Sequence, residues 1–153
     1  VVNDTFEEIY GRLNVRIIDF EGNEIWSNYK DITVAENISQ QVYSIPNVDI
    51  DRKNHVYITE FNGTKSLHYF ESPKELNLPK GSIEREIIKT KEGFSIILKS
   101  SVLQKDVFLF SKNKGHFSDN FFDLLPNEPV SIEFKSDASS LDDLVIKTLN
   151  QIE

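Results

Sequence analysis

The sequence has no cysteine and no methionine among its 153 residues. The lack of cysteine excludes disulfide frameworks, thiolate catalysis and Cys-based metal sites. The lack of methionine, position 1 included, gives the expectation of a chain cut from a longer protein rather than one trimmed only of its start residue. No apolar run approaches the roughly 20 residues of a membrane helix. No basic segment followed by an apolar core opens the chain, so no secretion signal is read from it. Basic residues are in deficit, with Lys+Arg at 17 against Asp+Glu at 25 and a formal charge of -8. An acidic surface repels phosphate, which argues against nucleic acid and anionic membranes as partners. No strip of aromatics and arginines stands out along the chain.

What remains is 39% hydrophobic and 27% charged, the balance of a soluble globular protein. Period-two alternation dominates. Leu13, Val15 and Ile17 alternate with Arg12, Asn14 and Arg16, predicting a half-buried strand that ends in a turn at Phe20 to Asn23, where Gly22 supplies a positive φ. Short strands are expected over 24–28, 29–34 and 38–45. An Asn62-Gly63 hairpin is expected between strands 55–61 and 64–70. Pro73, Pro79 and Gly81 break the pattern between 72 and 81. It restarts with strands over 83–90, 94–100, 106–112 and 130–134, the third apolar on both faces and therefore central. In the tail, Ser139, Ser140 and Asp143 resemble a helix capping box, and Leu141, Leu144, Val145, Leu149 and Ile152 recur at helical spacing. A strand over 144–149 is nevertheless expected, because an all-β domain needs a last strand.

Regular short strands with turn signals predict an all-β chain of two tandem antiparallel β-sandwiches. The expected boundaries are 1–76 for the first domain, 77–82 for a linker and 83–153 for the second. Domains of roughly 75 residues bury little core, so each is expected to lean on its neighbour or on a larger parent.

Three segments carry a family resemblance. They are Val15 to Gly22, His68 to Pro79, and the run Ser118-Asp119-Asn120-Phe121-Phe122-Asp123-Leu124-Leu125-Pro126. The last is too apolar for a free loop and too punctuated for a helix, and it reads as a buried corner between strands. In order and spacing the three resemble the C-terminal immunoglobulin-like domains of glycoside hydrolase family 2 β-mannosidases. Asn127 stands where that family usually has glycine, and asparagine tolerates the left-handed backbone such a turn needs. The resemblance implies two immunoglobulin-like sandwiches, the first lacking its opening strand and so presenting an edge. It also implies that the catalytic glutamates lie in a barrel elsewhere in the parent, and a bacterial periplasmic or cytoplasmic location. Retaining hydrolysis needs two carboxylates about 5–5.5 Å apart, and no motif here corresponds to either.

Other residues are weighed singly. Asp119 and Asp123 could touch sugar or calcium, but acceptance of backbone N–H groups in a tight corner is favoured. Phe121 and Phe122 are expected in the core. Trp26, the only tryptophan, and Tyr29, with Asn28 beside them, are the possible sugar contacts, against a reading of Trp26 as packing. Asp49 to Asn54 with Glu60 faintly echoes a calcium loop, but Lys53 and Asn54 stand where a ligand and glycine belong. His55, His68 and His116 lack metal spacing. Asn3-Asp4-Thr5, Asn37-Ile38-Ser39 and Asn62-Gly63-Thr64 match the glycosylation pattern. No cofactor or metal is expected. The leading expectation is a non-catalytic accessory region whose partners are the barrel and other domains of the parent. The alternatives are a carbohydrate-binding module in contact with mannosides, and a cell-surface adhesion domain.

Overall fold

The computed structural model describes residues 1–44 and 47–151. The chain is all-β, with 3₁₀ turns only at Pro73–Glu75 and Leu149–Gln151 among the described residues. It divides into two compact units, Val1–Asp19 with Asn23–Leu76, and Phe20–Gly22 with the residues from Asn77 onward.

The first unit contains β1 (Val2–Asn3), β2 (Ile9–Asp19), β3 (Glu24–Val34), β4 (Ile38–Ser39), β5 (His55–Phe61) and β6 (Thr64–Tyr69). Four of these form an antiparallel sheet in the order β3-β2-β5-β6, and β1 pairs with β4 in a small ribbon. Alternation works as expected on β2: Leu13 and Val15 are buried with Ile32 and Val34 of β3, and Val42 and Tyr43 pack against them. The expected strands 24–28 and 29–34 are one continuous strand. Its pairing with β2 runs unbroken from Val34 through Tyr29 and Asn28 to Trp26, and the register shifts only nearer the turn, where a bulge opposes Ile17 and Ile18. The expected strand 38–45 shortens to Ile38–Ser39. Residues 40–44 instead lie under side-chain bonds from Lys30 to the Val42 carbonyl (3.2 Å) and from Asn28 to the Tyr43 hydroxyl (2.9 Å). Ile45 and Pro46, included in the expected strand and loop, lie outside the described residues. Asn62 (φ 48°) and Gly63 (φ 79°) both take the left-handed backbone of a tight hairpin turn.

Asn3 is buried at 2% exposure. Its amide nitrogen lies within 2.8–3.1 Å of the Glu7, Val34 and Ala35 carbonyls, and its oxygen accepts from the Thr5 N–H and hydroxyl. The first glycosylation match is therefore consumed in tying the ribbon to the end of β3. Asp51 likewise accepts from the Lys53 N–H and the Asn54 amide, so this acid of the calcium-like stretch holds its own turn. Among the described residues no group of three or more His, Asp or Glu is placed to hold a metal.

The second unit contains β7 (Glu84–Lys89), β8 (Gly93–Lys99), β9 (Gln104–Phe110), β10 (His116–Phe117), β11 (Phe122–Leu124), β12 (Val130–Lys135) and β13 (Val145–Lys147). One sheet runs β10-β12-β8-β7 and the other β11-β9-β13. Phe94, Ile96, Leu98, Ile132 and Phe134 of the first meet Val107, Leu109 and Leu124 of the second, closing the core with Leu141 and Leu144. β9 is central, as its composition predicts, but of its apolar residues 107–110 only Val107 and Leu109 are buried. Gly93 (φ 143°) is a position where a Cβ would lie 2.0 Å from the Phe134 carbonyl, so the close approach of β8 and β12 requires glycine. The tail is a strand, shorter than expected; Ile152 of the helical reading lies outside the described residues.

Asp143 caps no helix. It accepts from the Ser111 hydroxyl (2.8 Å), the Lys112 N–H (2.6 Å) and the Asn113 amide (3.1 Å), fixing the turn after β9. The Lys112 N–H and then the Ser111 hydroxyl hold its carboxyl below the usual range, and Asn54 followed by the Lys53 N–H does the same for Asp51. Both groups bind protons less readily folded than unfolded. The stability they confer is complete above the unfolded value, about 3.9, and is lost as pH falls through the lower folded value. Thermal melts should give a Tm that is flat near neutrality and declines below about pH 4. Asp143→Asn should lower Tm at neutral pH and flatten the acid decline; an unchanged acid slope would show that Asp143 contributes nothing to it.

Candidate functional site

The corner at 118–126 is held by its polar side chains. Ser118 exchanges two bonds with Glu133 of β12, donating its N–H (2.8 Å) and accepting at its hydroxyl (3.0 Å). Asn120 then places its side-chain amide against β9. Its oxygen accepts from the Leu109 N–H (2.8 Å) and its nitrogen donates to the Leu109 carbonyl (2.9 Å). This is the double bond exchange of a strand neighbour, made by a side chain. Asp119 accepts from the Asn120 N–H (2.7 Å), and Asp123 from the Asp106 N–H (2.8 Å) and from Lys105 (3.3 Å). Both aspartates thus take the backbone-accepting role that was favoured for them. Leu124, Leu125 and Pro126 are buried. Asn127 follows at φ 61°, in the left-handed conformation that replaces the family glycine.

One expectation fails here. Phe121 is not in the core: it is 66% exposed, at φ 60°, with its ring 5.1 Å from that of Phe108 on the outer side of β9. Phe122 opposes Val107 and is half-buried against the core. Phe121 precedes β11 in the left-handed conformation, so it does not continue the strand that carries Phe122 against the core. Asn120 was the residue that composition could not single out. Its partner lies 11 positions away, and nothing local marks it.

The tryptophan and tyrosine of the possible sugar contact lie on opposite faces of β3. Trp26 opposes Ile17 and packs against the core, 6.3 Å from the Tyr43 ring. Tyr29 opposes Asn14 on the outer face and is 59% exposed. There Arg12 lies 4.4 Å above the centre of its ring and pairs with Asp31 through two contacts, 2.9 and 3.3 Å. The Arg12 bond holds the Asp31 carboxyl below its usual range. Beyond Tyr29 the face dips into an open depression of about 350 Å³, bordered by Asn14, Arg16, Ser27 and Glu60, with buried Ile58 beneath. Aromatic and arginine residues therefore do form a strip, which the linear sequence hid by distributing it over β2 and β3.

Asn120→Ala should destabilise the chain by about 1–3 kcal/mol, the cost of leaving a strand N–H and carbonyl unpaired. Asn120→Asp keeps the acceptor but sets a carboxylate against the Leu109 carbonyl, and should cost at least as much. Urea unfolding of both variants measures this; an Asp variant as stable as the parent would refute the amide's donor role.

Residues 1–75 match a family model described as a mannosidase Ig/CBM-like domain, and residues 78–152 match the mannosidase model described as an Ig-fold domain. No curated protein matches the sequence. Among solved structures, a β-D-mannosidase from Dictyoglomus thermophilum superposes with a TM-score of 0.79 at 23% identity, over 96% of this chain and 19% of that one. The exo-chitosanase CsxA of Amycolatopsis orientalis superposes at 0.65 and 13% identity, over 97% of this chain and 24% of that one. The chain thus spans about a fifth to a quarter of the structures it is similar to, and the likeness at these identities is one of fold. With the two models lying end to end along it, the chain belongs to the tandem immunoglobulin-like domains of glycoside hydrolase family 2 mannosidases.

Proposed function

We propose that this chain is the non-catalytic, C-terminal accessory region of a β-mannosidase, a retaining exo-glycosidase of terminal β-mannosides. Its role is to pack on and stabilise a catalytic barrel belonging to the same parent. The observation that carries this reading is the pair of mannosidase-type domain models covering 1–75 and 78–152. The chemistry of the corner supports it. Retaining hydrolysis needs two carboxylates facing one sugar across about 5–5.5 Å. The acids of the corner instead accept bonds from the chain's own backbone, Asp119 from Asn120 and Asp123 from Asp106.

The chain alone should release no chromophore from an aryl β-mannoside above the uncatalysed rate, and turnover would overturn the non-catalytic reading. In a parent enzyme carrying these domains, deletion of both should lower Tm and expression while the barrel keeps its catalytic acids. A truncated parent as stable as the intact one would remove the stabilising role.

A further inference from the structure

We propose that the outer face of the β3-β2-β5-β6 sheet binds a neutral pyranoside in the depression beside Tyr29. This goes beyond a scaffolding role and rests on the geometry of the first unit alone.

Three features point to this ligand. The first is a held aromatic wall. Tyr29 borders the depression, and Arg12 covers its ring while being fixed by Asp31. A long arginine at a sheet surface is ordinarily free to sample rotamers; bonded to Asp31, it holds the tyrosine at reduced entropic cost. A pyranose presents a face of C–H groups that packs on such a wall. The second is a small apolar floor between polar side chains. Ser27 is the short side chain in its row, opposite Arg16, and Ile58 beneath is 1% exposed. Around them Asn14, Arg16 and Glu60 offer planar donors and acceptors at the edge of the recess, the pattern that reads sugar hydroxyls.

The third is charge. The chain as a whole carries -8. On this face Arg12, Arg16 and Lys65 stand against Asp31, Glu60 and Glu24, which accepts from the Ser27 hydroxyl at 2.7 Å. The signs balance, so neither an anion nor a cation is favoured, and a polyol without charge fits best. A second tyrosine, Tyr10, lies further along β2 on the same face and is 69% exposed, which extends the aromatic surface toward a second sugar unit.

The test is a titration of the ¹⁵N-labelled 153-residue chain with β-1,4-mannotetraose, followed by NMR, with cellotetraose and tetragalacturonate in parallel. Binding should shift the amides of Asn14, Arg16, Ser27, Tyr29 and Glu60 at millimolar neutral sugar, with little response to the galacturonate. Tyr29→Ala should weaken binding about tenfold, equivalent to about 1.4 kcal/mol, while Tyr29→Phe retains it. Ser27→Gln fills the depression and should abolish binding without removing the wall. Trp26→Phe, on the opposite face, should leave affinity unchanged. Matching amide dispersion would certify that each variant is folded. No shift with any neutral sugar, shifts centred elsewhere, an equal response to the galacturonate, or full affinity in both Tyr29→Ala and Ser27→Gln would overturn the proposal. Sugar turnover in the same tube would count against the function proposed above and not against this site.

Discussion

Small β-sandwiches must pair every buried backbone N–H and carbonyl while changing direction every few residues. Strands β11 and β13 are only three residues long, yet they flank the seven-residue β9. The ladder on each side of β9 is completed by an asparagine. Asn120 serves both polar groups of Leu109, and Asn150 accepts from the Lys105 N–H while donating to the Leu103 carbonyl. At the end of β3, Asn3 donates to the Val34 and Ala35 carbonyls. An asparagine side chain carries one donor group and one acceptor in the geometry of a peptide, so it substitutes for a strand without a strand's length. Each such bond is worth about 1 kcal/mol, less than the roughly 2–5 kcal/mol for a core residue such as Leu109 or Ile132. The core supplies the stability, and the amides decide which backbone path can enclose it.

Features encoded by neighbouring residues were legible before the fold was known. Alternation gave β2, β5, β8 and β12, because burial of one sheet face imposes a period of two. Asn62-Gly63 gave its hairpin, and Asn127 its left-handed turn, because those conformations admit few residue types. The features that were hidden depend on register. Trp26 and Tyr29 are three residues apart, and only the pairing of β3 with β2 shows that one is packing and the other surface. Phe121 was assigned to the core on composition, which carries no information about facing. The asparagine ladders join residues 11 to 47 positions apart, and no local pattern announces them.

The two sheet faces of the first unit differ in chemistry. One carries the aliphatic core and Trp26, covered by Val42 and Tyr43. The other carries tyrosine, arginine and carboxylate groups in fixed contact with one another at one end, and the buried Ile18, Val56 and Ile58 at the other. The second unit has a sandwich core shared by both sheets and a corner whose acids are spent internally. Family membership accounts for the sandwiches; the side chains on their surfaces distinguish this chain within that family.

The amide of Asn150 also donates to the Pro79 carbonyl at 2.9 Å, fastening the stretch by which the second unit begins to the stretch by which it ends. Entry and exit therefore share one clasp. Because the same side chain also bonds Leu103 and Lys105, a pull on either stretch passes through this clasp into β9.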